Sequence, residues 1–173
     1  TGITIPKTVT RIGDSAFREC KNLNKLNITD VESWCGVYFG GSNSSYANPM
    51  YYAKNLYLNN ELVTDLVIPE GVTEVKSDVF RNCKSITGIT LPSTLTKIGG
   101  NTFVGCSSVN QTNISDITAW CNIDFTFSSS NPTYLSKNLY LNGEPIVNLV
   151  IPAEVTEIKP YAFYNCDTLE SVT

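Results

Sequence analysis

The chain contains no histidine. That removes the commonest general base, the commonest zinc ligand and every Ser-His or Cys-His catalytic pair. Six cysteines remain as potential nucleophiles. Cys20, Cys83, Cys106 and Cys166 each follow a phenylalanine (Phe17, Phe80, Phe103 and Phe163) by three residues. Metal binding calls for close cysteine pairs or Cys/His spacing, and the sequence has neither. These eight residues therefore read as a structural core column, with the thiols acting as small buried hydrophobes. Cys35 and Cys121, each beside a tryptophan, read the same way. Disulfides between neighbouring repeats are the alternative, and an oxidising compartment would permit them. Among the carboxylates, Asp14, Asp30, Asp78, Asp116 and Glu154 fall at turn or cap positions. No two have a spacing that argues acid/base work, although a fold can bring distant carboxylates together for glycosidase-type chemistry. The reading assigns no catalytic residue, no metal ligand and no cofactor.

The tyrosines are the side chains best suited to recognition. Tyr46, Tyr51, Tyr52 and Tyr57 crowd one segment, and Tyr134 and Tyr140 recur in a second. Tyrosine offers a large contact area with a polar tip. Tyr51, Tyr52, Tyr57, Tyr134 and Tyr140 are thus candidates for an aromatic contact patch, with local packing as the alternative. A patch requires at least two of these rings to be exposed on one surface. Asn27, Asn43, Asn110 and Asn113 each begin a glycosylation sequon. Asn27 and Asn113 fall in strand-like segments, where a structural role is expected.

Charge narrows the partners. Twelve Lys and Arg stand against sixteen Asp and Glu, a formal net charge of −4. A duplex-binding protein would show a basic face, so nucleic acid is not an expected partner. No run of eighteen apolar residues exists to span a bilayer. The single methionine is Met50, and no signal peptide opens the sequence. The 173 residues are expected to form one domain, a piece of a longer protein with further coils or other domains beside it.

Internal repeats set the architecture. Four prolines, Pro6, Pro69, Pro92 and Pro152, each have Thr four residues on, Phe eleven on and Cys fourteen on. Pro69 and Pro92 show the basic unit to be 23 residues. A larger unit overlies it. Ser33-Trp34-Cys35 matches Ala119-Trp120-Cys121, and the Lys-Asn-Leu-Tyr-Leu-Asn run from Lys54 recurs from Lys137. Copies this short bury a core only by stacking, which makes a solenoid. Ile3-Thr4-Ile5, Ile89-Thr90-Leu91 and Leu149-Val150-Ile151 alternate as strands, stopped by a proline that has no N–H to give. Six parallel rungs are expected, ending at residues 5, 28, 68, 91, 114 and 151. At about 4.8 Å per rung the stack would be roughly 25–30 Å long.

Two long coils interrupt the short ones. Asp30 and Asp116 are suited to cap helices that bury Trp34 and Cys35, or Trp120 and Cys121. Asn48-Pro49 and Asn131-Pro132 suit helix starts with proline in the first position. Asn59-Asn60 and Asn142-Gly143 are hairpin turns between strand-like segments. Each long coil is therefore expected to project a β-hairpin from one side of the solenoid.

The repeat resembles the BspA-like class of bacterial leucine-rich repeats, whose pattern runs approximately IPxxVTxIGxxAFxxCxxLxxI. Gly13 and Gly99 match its IG step, whereas Lys76 and Lys159 depart from it, so this turn need not require a positive φ. The resemblance implies a right-handed leucine-rich repeat stack of about six coils with parallel strands and short helices or turns. It also implies a secreted or cell-surface protein, and a binding module without catalysis. Its partner would be a host or matrix protein or a polysaccharide. The alternatives are a structural spacer in a surface protein and, remotely, a fragment of a carbohydrate-active enzyme.

Overall fold

The computed structural model describes residues 1–41 and 44–173, the side chains of residues 44 and 45 apart. The Asn43 sequon lies outside the described residues. Alternation of apolar and polar residues builds a parallel ladder. Gly2–Ile5, Lys25–Ile28 and Leu56–Leu58 pair in register, aligning Ile3, Leu26 and Leu56 in one inward row. A second stretch stacks Asp65–Val67, Gly88–Thr90, Gln111–Ile114 and Leu139–Leu141, with Leu66, Ile89, Thr112 and Leu139 inward. A third pairs Asn148–Leu149 with Ser171–Val172. Leu26, Leu56, Ile89 and Leu139 are completely buried. Thr112 takes a leucine position in this row, and its hydroxyl pairs with the Ser136 hydroxyl at 2.8 Å.

Each proline then turns the chain. The amides of Val9, Val72, Leu95 and Val155 donate to the carbonyls of Pro6, Pro69, Pro92 and Pro152. A shorter parallel ladder follows, with Glu74–Val75, Lys97–Ile98 and Asp124–Phe125 in one sheet and Arg11–Ile12 with Tyr38–Phe39 in another. The return turn carries two left-handed residues per coil. Ser15, Asp78, Asn101 and Tyr161 occupy the first position, and Glu19, Asn82, Gly105 and Asn165 the second. The IG step instead keeps negative φ. Gly99 is required by contact, since a Cβ there would lie 2.4 Å from the backbone nitrogen of Ser77. Lys76 and Lys159 stack on long coils, where their amides donate to the Cys35 and Cys121 carbonyls.

The phenylalanine column forms only at its centre. Phe80 and Phe103 are fully buried and stacked, with centroids 5.9 Å apart and planes 3° from parallel. Phe17 and Phe163 are half-buried. The thiols follow the same gradient: Cys83 and Cys106 are buried, Cys166 is intermediate and Cys20 is exposed. The expectation of a uniformly buried column is thus corrected at both ends. Phe17, Cys20, Phe163 and Cys166 lie in the terminal coils, which are covered from one side only. All six cysteines are free. Burial raises the thiol pKa of Cys83, Cys106 and Cys121, and pushes Cys35 up to about 12 and Cys166 to about 11.

A thiol reagent is therefore expected to label Cys20 rapidly in the native protein and all six cysteines in denaturant. Rapid native labelling of Cys83 or Cys106, read by peptide mass, would contradict this packing. A thiol with a raised folded pKa favours the folded state fully below the ordinary thiol pKa of about 8.5. Through Cys35, that contribution is expected to fade as pH rises toward about 12.

Both long coils use their caps as the sequence implies. Asp30 Oδ1 accepts from the Ser33 amide at 2.7 Å, and Asp116 Oδ1 from the Ala119 amide at 2.9 Å. The helices Val31–Cys35 and Ile117–Cys121 bury Trp34 and Trp120, which meet Phe39 and Phe125 edge to face. After the short helical turns Ser44–Ala47 and Ser128–Ser130, the helices Met50–Ala53 and Thr133–Ser136 start one residue later than the sequence suggests, with Pro49 and Pro132 at the N-cap. Asn48 and Asn131 have another task. Asn48 is buried; its Nδ2 donates to the Asp78 and Val79 carbonyls at 2.7 and 3.3 Å, and its Oδ1 accepts from the Met50 amide at 2.8 Å. Asn131 makes the same three bonds to Tyr161, Ala162 and Thr133.

The projecting hairpin needs correction. Asn59-Asn60 and Asn142-Gly143 do form turns with positive φ, between Leu56–Leu58 and Glu61–Leu62, and between Leu139–Leu141 and Glu144–Pro145. However, the first arm of each hairpin is a ladder rung, paired parallel to Lys25–Ile28 or Gln111–Ile114. The return arm pairs antiparallel on the outer edge of that rung and stays in the same sheet. These arms add rungs to the six expected, and each return arm ends one sheet, so the ladder breaks before Asp65 and again before Asn148.

Candidate binding face

Period-two alternation turns outward the residue that follows each inward row position. In the first sheet, Thr4, Asn27 and Tyr57 fall in one row. In the second, Val67, Thr90, Asn113 and Tyr140 do so. The Thr-Asn-Tyr row is thus built twice, once by each large module. None of these residues is an Asp, Glu, Lys or Arg. Asn27 is fixed: its Nδ2 donates to Thr4 Oγ1 at 3.3 Å, and its Oδ1 accepts from the Asn60 amide at 2.7 Å. Lys25 Nζ lies 4.2 Å from the Tyr57 ring centroid and donates to Asn60 Oδ1 at 3.2 Å. In the second row Gln111 Nε2 donates to Asn113 Oδ1 at 3.0 Å. The Asn27 carboxamide is consumed by packing, in keeping with a structural role for this residue.

A hollow of about 470 Å3 runs beside the second row. Val67, Thr90 and Asn113 line it along the strands, Pro69, Glu70 and Pro92 along the turns, and the Asn142-Gly143 turn closes it; the Glu70 carboxylate accepts from the Ser93 amide and hydroxyl at 3.0 and 3.2 Å. A neighbouring outward row brings the Asp65 carboxylate over Gly88, where a Cβ would stand 2.6 Å from Asp65 Oδ1. The face offers hydroxyls, carboxamides and phenol rings, with the Asp65 and Glu70 carboxylates beside the second row and Lys25 beside the first. Among the described residues, no group of three or more Cys, Asp or Glu side chains could hold a metal ion.

The structure divides the five candidate tyrosines. Tyr57 and Tyr140 sit in the outward rows. Tyr51 and Tyr52 belong to the helix Met50–Ala53, where Tyr51 meets Tyr46 at 4.8 Å and Tyr52 at 5.0 Å. Tyr52 is also an acceptor, from the Glu19 amide at 3.0 Å. Tyr134 lies in the helix Thr133–Ser136 and stacks on Tyr164, which meets Tyr161 edge to face. Of the five, Tyr134 is exposed and the others are half-buried, which falls short of the two exposed rings on one surface that the patch requires. Tyr51, Tyr52 and Tyr134 therefore do not join the ladder rows. The sequence reading missed Thr4, Thr90 and Val67 as face residues, and Tyr161 and Tyr164 as exposed aromatics. The available signal for Thr4 and Thr90 was a polar residue between two apolar ones, Ile3 and Ile5, and Ile89 and Leu91.

Among the described residues, no helix is long and apolar enough to cross a membrane. The family model described as BspA type leucine rich repeat region matches in six copies, over residues 1–47 and 52–173. No curated protein sequence matches the chain. Two solved structures are similar. One is a leucine rich cell surface protein from Faecalibacterium prausnitzii, 22% identical, with a TM-score of 0.41. That match covers 71% of this chain and 34% of the other, so the chain spans about a third of that protein. The second is the T. pallidum leucine rich repeat protein, 16% identical over 99% of this chain and 68% of its own, also with a TM-score of 0.41.

Proposed function

Because the chain belongs to the BspA-type leucine-rich repeat family, in which stacked coils serve as binding or structural modules, we propose that it is a non-catalytic binding module of a cell-surface protein. Its ligand in this reading is a neutral polysaccharide held along the outward ladder rows. The supporting observation is the Thr-Asn-Tyr row, repeated in both modules, with Lys25 over the Tyr57 ring of the first and the 470 Å3 hollow beside the second. Neutral sugars are recognised by hydroxyl and carboxamide hydrogen bonds and by apolar contact with phenol rings. The Asp65 and Glu70 carboxylates beside the second row would repel an anionic polymer.

The test is a binding panel of neutral polysaccharides and matrix proteins, run with wild type and the Tyr57→Ala/Tyr140→Ala double variant. The double variant is expected to bind the retained polysaccharide about tenfold or more weakly, as for loss of central aromatic contacts, with an unchanged melting curve. Equal binding by the variant, or retention of matrix proteins alone, would overturn the reading. Absence of any binding would favour the spacer alternative, which the burial of Asn27 at 4% exposure supports.

A further inference from the structure

The two breaks in the ladder leave strand edges facing a groove. At the first, the four-stranded sheet ends at Glu61–Leu62 and the five-stranded sheet begins at Asp65–Val67. Toward its partner strand, the second of these edges uses the Thr64 carbonyl, which accepts from the Thr87 and Gly88 amides, and the Ile68 amide, which donates to the Thr90 carbonyl. Parallel pairing engages alternate residues, so the backbone groups of Asp65 and Val67 point to the opposite edge. Between the two edges lies an open groove of about 400 Å3. Leu58, Val63 and Leu66 form its apolar floor, and Leu62 and Val67 stand on its rim, 49% and 57% exposed.

The charge around the groove has one sign. Glu61 and Asp65 line it, and Asp30 and Glu32 line the hollow that continues from it past Val31 and Leu58. No lysine or arginine lines either. We propose that this groove is a docking site for an extended cationic segment of a partner protein, added as a strand to the Asp65–Val67 edge. Backbone hydrogen bonds to Asp65 and Val67 would hold the segment. Alternate apolar side chains would enter over Leu58 and Leu66, and the intervening lysines or arginines would meet Glu61 and reach across the strand to Asp65, whose carboxylate leans over Gly88. The second break supplies an internal comparison. Its groove, about 430 Å3, repeats the apolar floor with Leu141, Ile146 and Leu149. There Asn148 replaces Asp65 and Pro145 replaces Leu62, so Glu144 is the one carboxylate lining it. The cationic preference therefore belongs to the first groove.

The probe is a short labelled peptide alternating lysine with valine, followed by fluorescence anisotropy at low salt. Controls are a glutamate–valine peptide and a lysine–valine peptide N-methylated on alternate amides. The lysine–valine peptide is expected to bind, weakening as salt screens the rim, and both control peptides to fail. Glu61→Gln with Asp65→Asn should weaken binding about tenfold, whereas Glu144→Gln leaves it unchanged. Both altered side chains are exposed, and thermal melts verify folding of the variant. No binding would show that the acidic rim only guards the strand edges and would overturn the proposal. Equal binding of the acidic or N-methylated peptide would overturn it too, as would insensitivity to the Glu61/Asp65 variant. Tyr140→Ala should leave peptide binding intact, so this proposal and the polysaccharide reading fail separately.

Discussion

Truncating Phe80 to alanine is expected to destabilise the protein by about 3–5 kcal/mol, the range for a buried aromatic replaced by a cavity. The ring is wholly excluded from solvent and lies parallel to Phe103 of the next coil, 5.9 Å away. Its loss empties the space between two coils that are both held by neighbours, so little collapse can fill it. Cys106 Sγ, which donates to the Phe80 carbonyl at 3.1 Å, keeps the backbone of that coil in place. Phe17→Ala is the matched control. Phe17 occupies the same repeat position in a terminal coil and is half-buried, so its truncation should cost clearly less. Denaturant melts of both variants read the difference. A loss below about 1 kcal/mol for Phe80→Ala would place the ring outside the core.

Asn48→Ala is expected to cost about 2–4 kcal/mol, since it orphans buried backbone groups as well as removing bonds. The carboxamide joins the long coil to the next short coil through the Asp78 and Val79 carbonyls, and it orders the start of its own helix through the Met50 amide. Alanine can answer none of these. Asn48→Asp keeps the acceptor for Met50 but places an anion against two carbonyls, so it should be at least as damaging. Asn131→Ala tests the equivalent clamp onto the last coil and should cost less, because that coil is covered on one side. Chemical denaturation of the three variants checks the order; a cost within about 0.5 kcal/mol for Asn48→Ala would show that the clamp is dispensable.

Features with local causes were legible in the sequence. The proline turns, the aspartate caps at Asp30 and Asp116 and the Asn-Asn and Asn-Gly turns each depend on residues a few positions apart. The 23-residue period was equally plain, because four copies keep Thr, Phe and Cys at fixed distances. The errors arose where the cause was distant. Leu56–Leu58 carries a hairpin signal, but its second partner, Lys25–Ile28, lies about one long coil away and leaves no mark near the turn. Cys20 stands in the same motif as Cys83, yet a motif does not say whether a neighbour covers it. The left-handed positions were hidden by variety: Asn82, Asn165 and Gly105 suit a positive φ, whereas Glu19 and Tyr161 do not advertise it.

The candidate site was half legible for the same reason. Tyr57 and Tyr140 could be named from residue type. Only the ladder register shows that Thr4 and Asn27 share the row of one, and Thr90 and Asn113 the row of the other. Tyr51, Tyr52 and Tyr134 looked equivalent in sequence but are carried by helices.

The central claim, that the outward ladder rows are the binding face, is tested most directly by mapping backbone amide shifts by NMR as the polysaccharide retained from the panel is added. The account predicts that the largest shifts cluster at Thr90, Asn113 and Tyr140, with a matching set at Thr4, Asn27 and Tyr57. Shifts confined to the helical tyrosines Tyr51, Tyr52 and Tyr134, with the ladder rows silent, would contradict it.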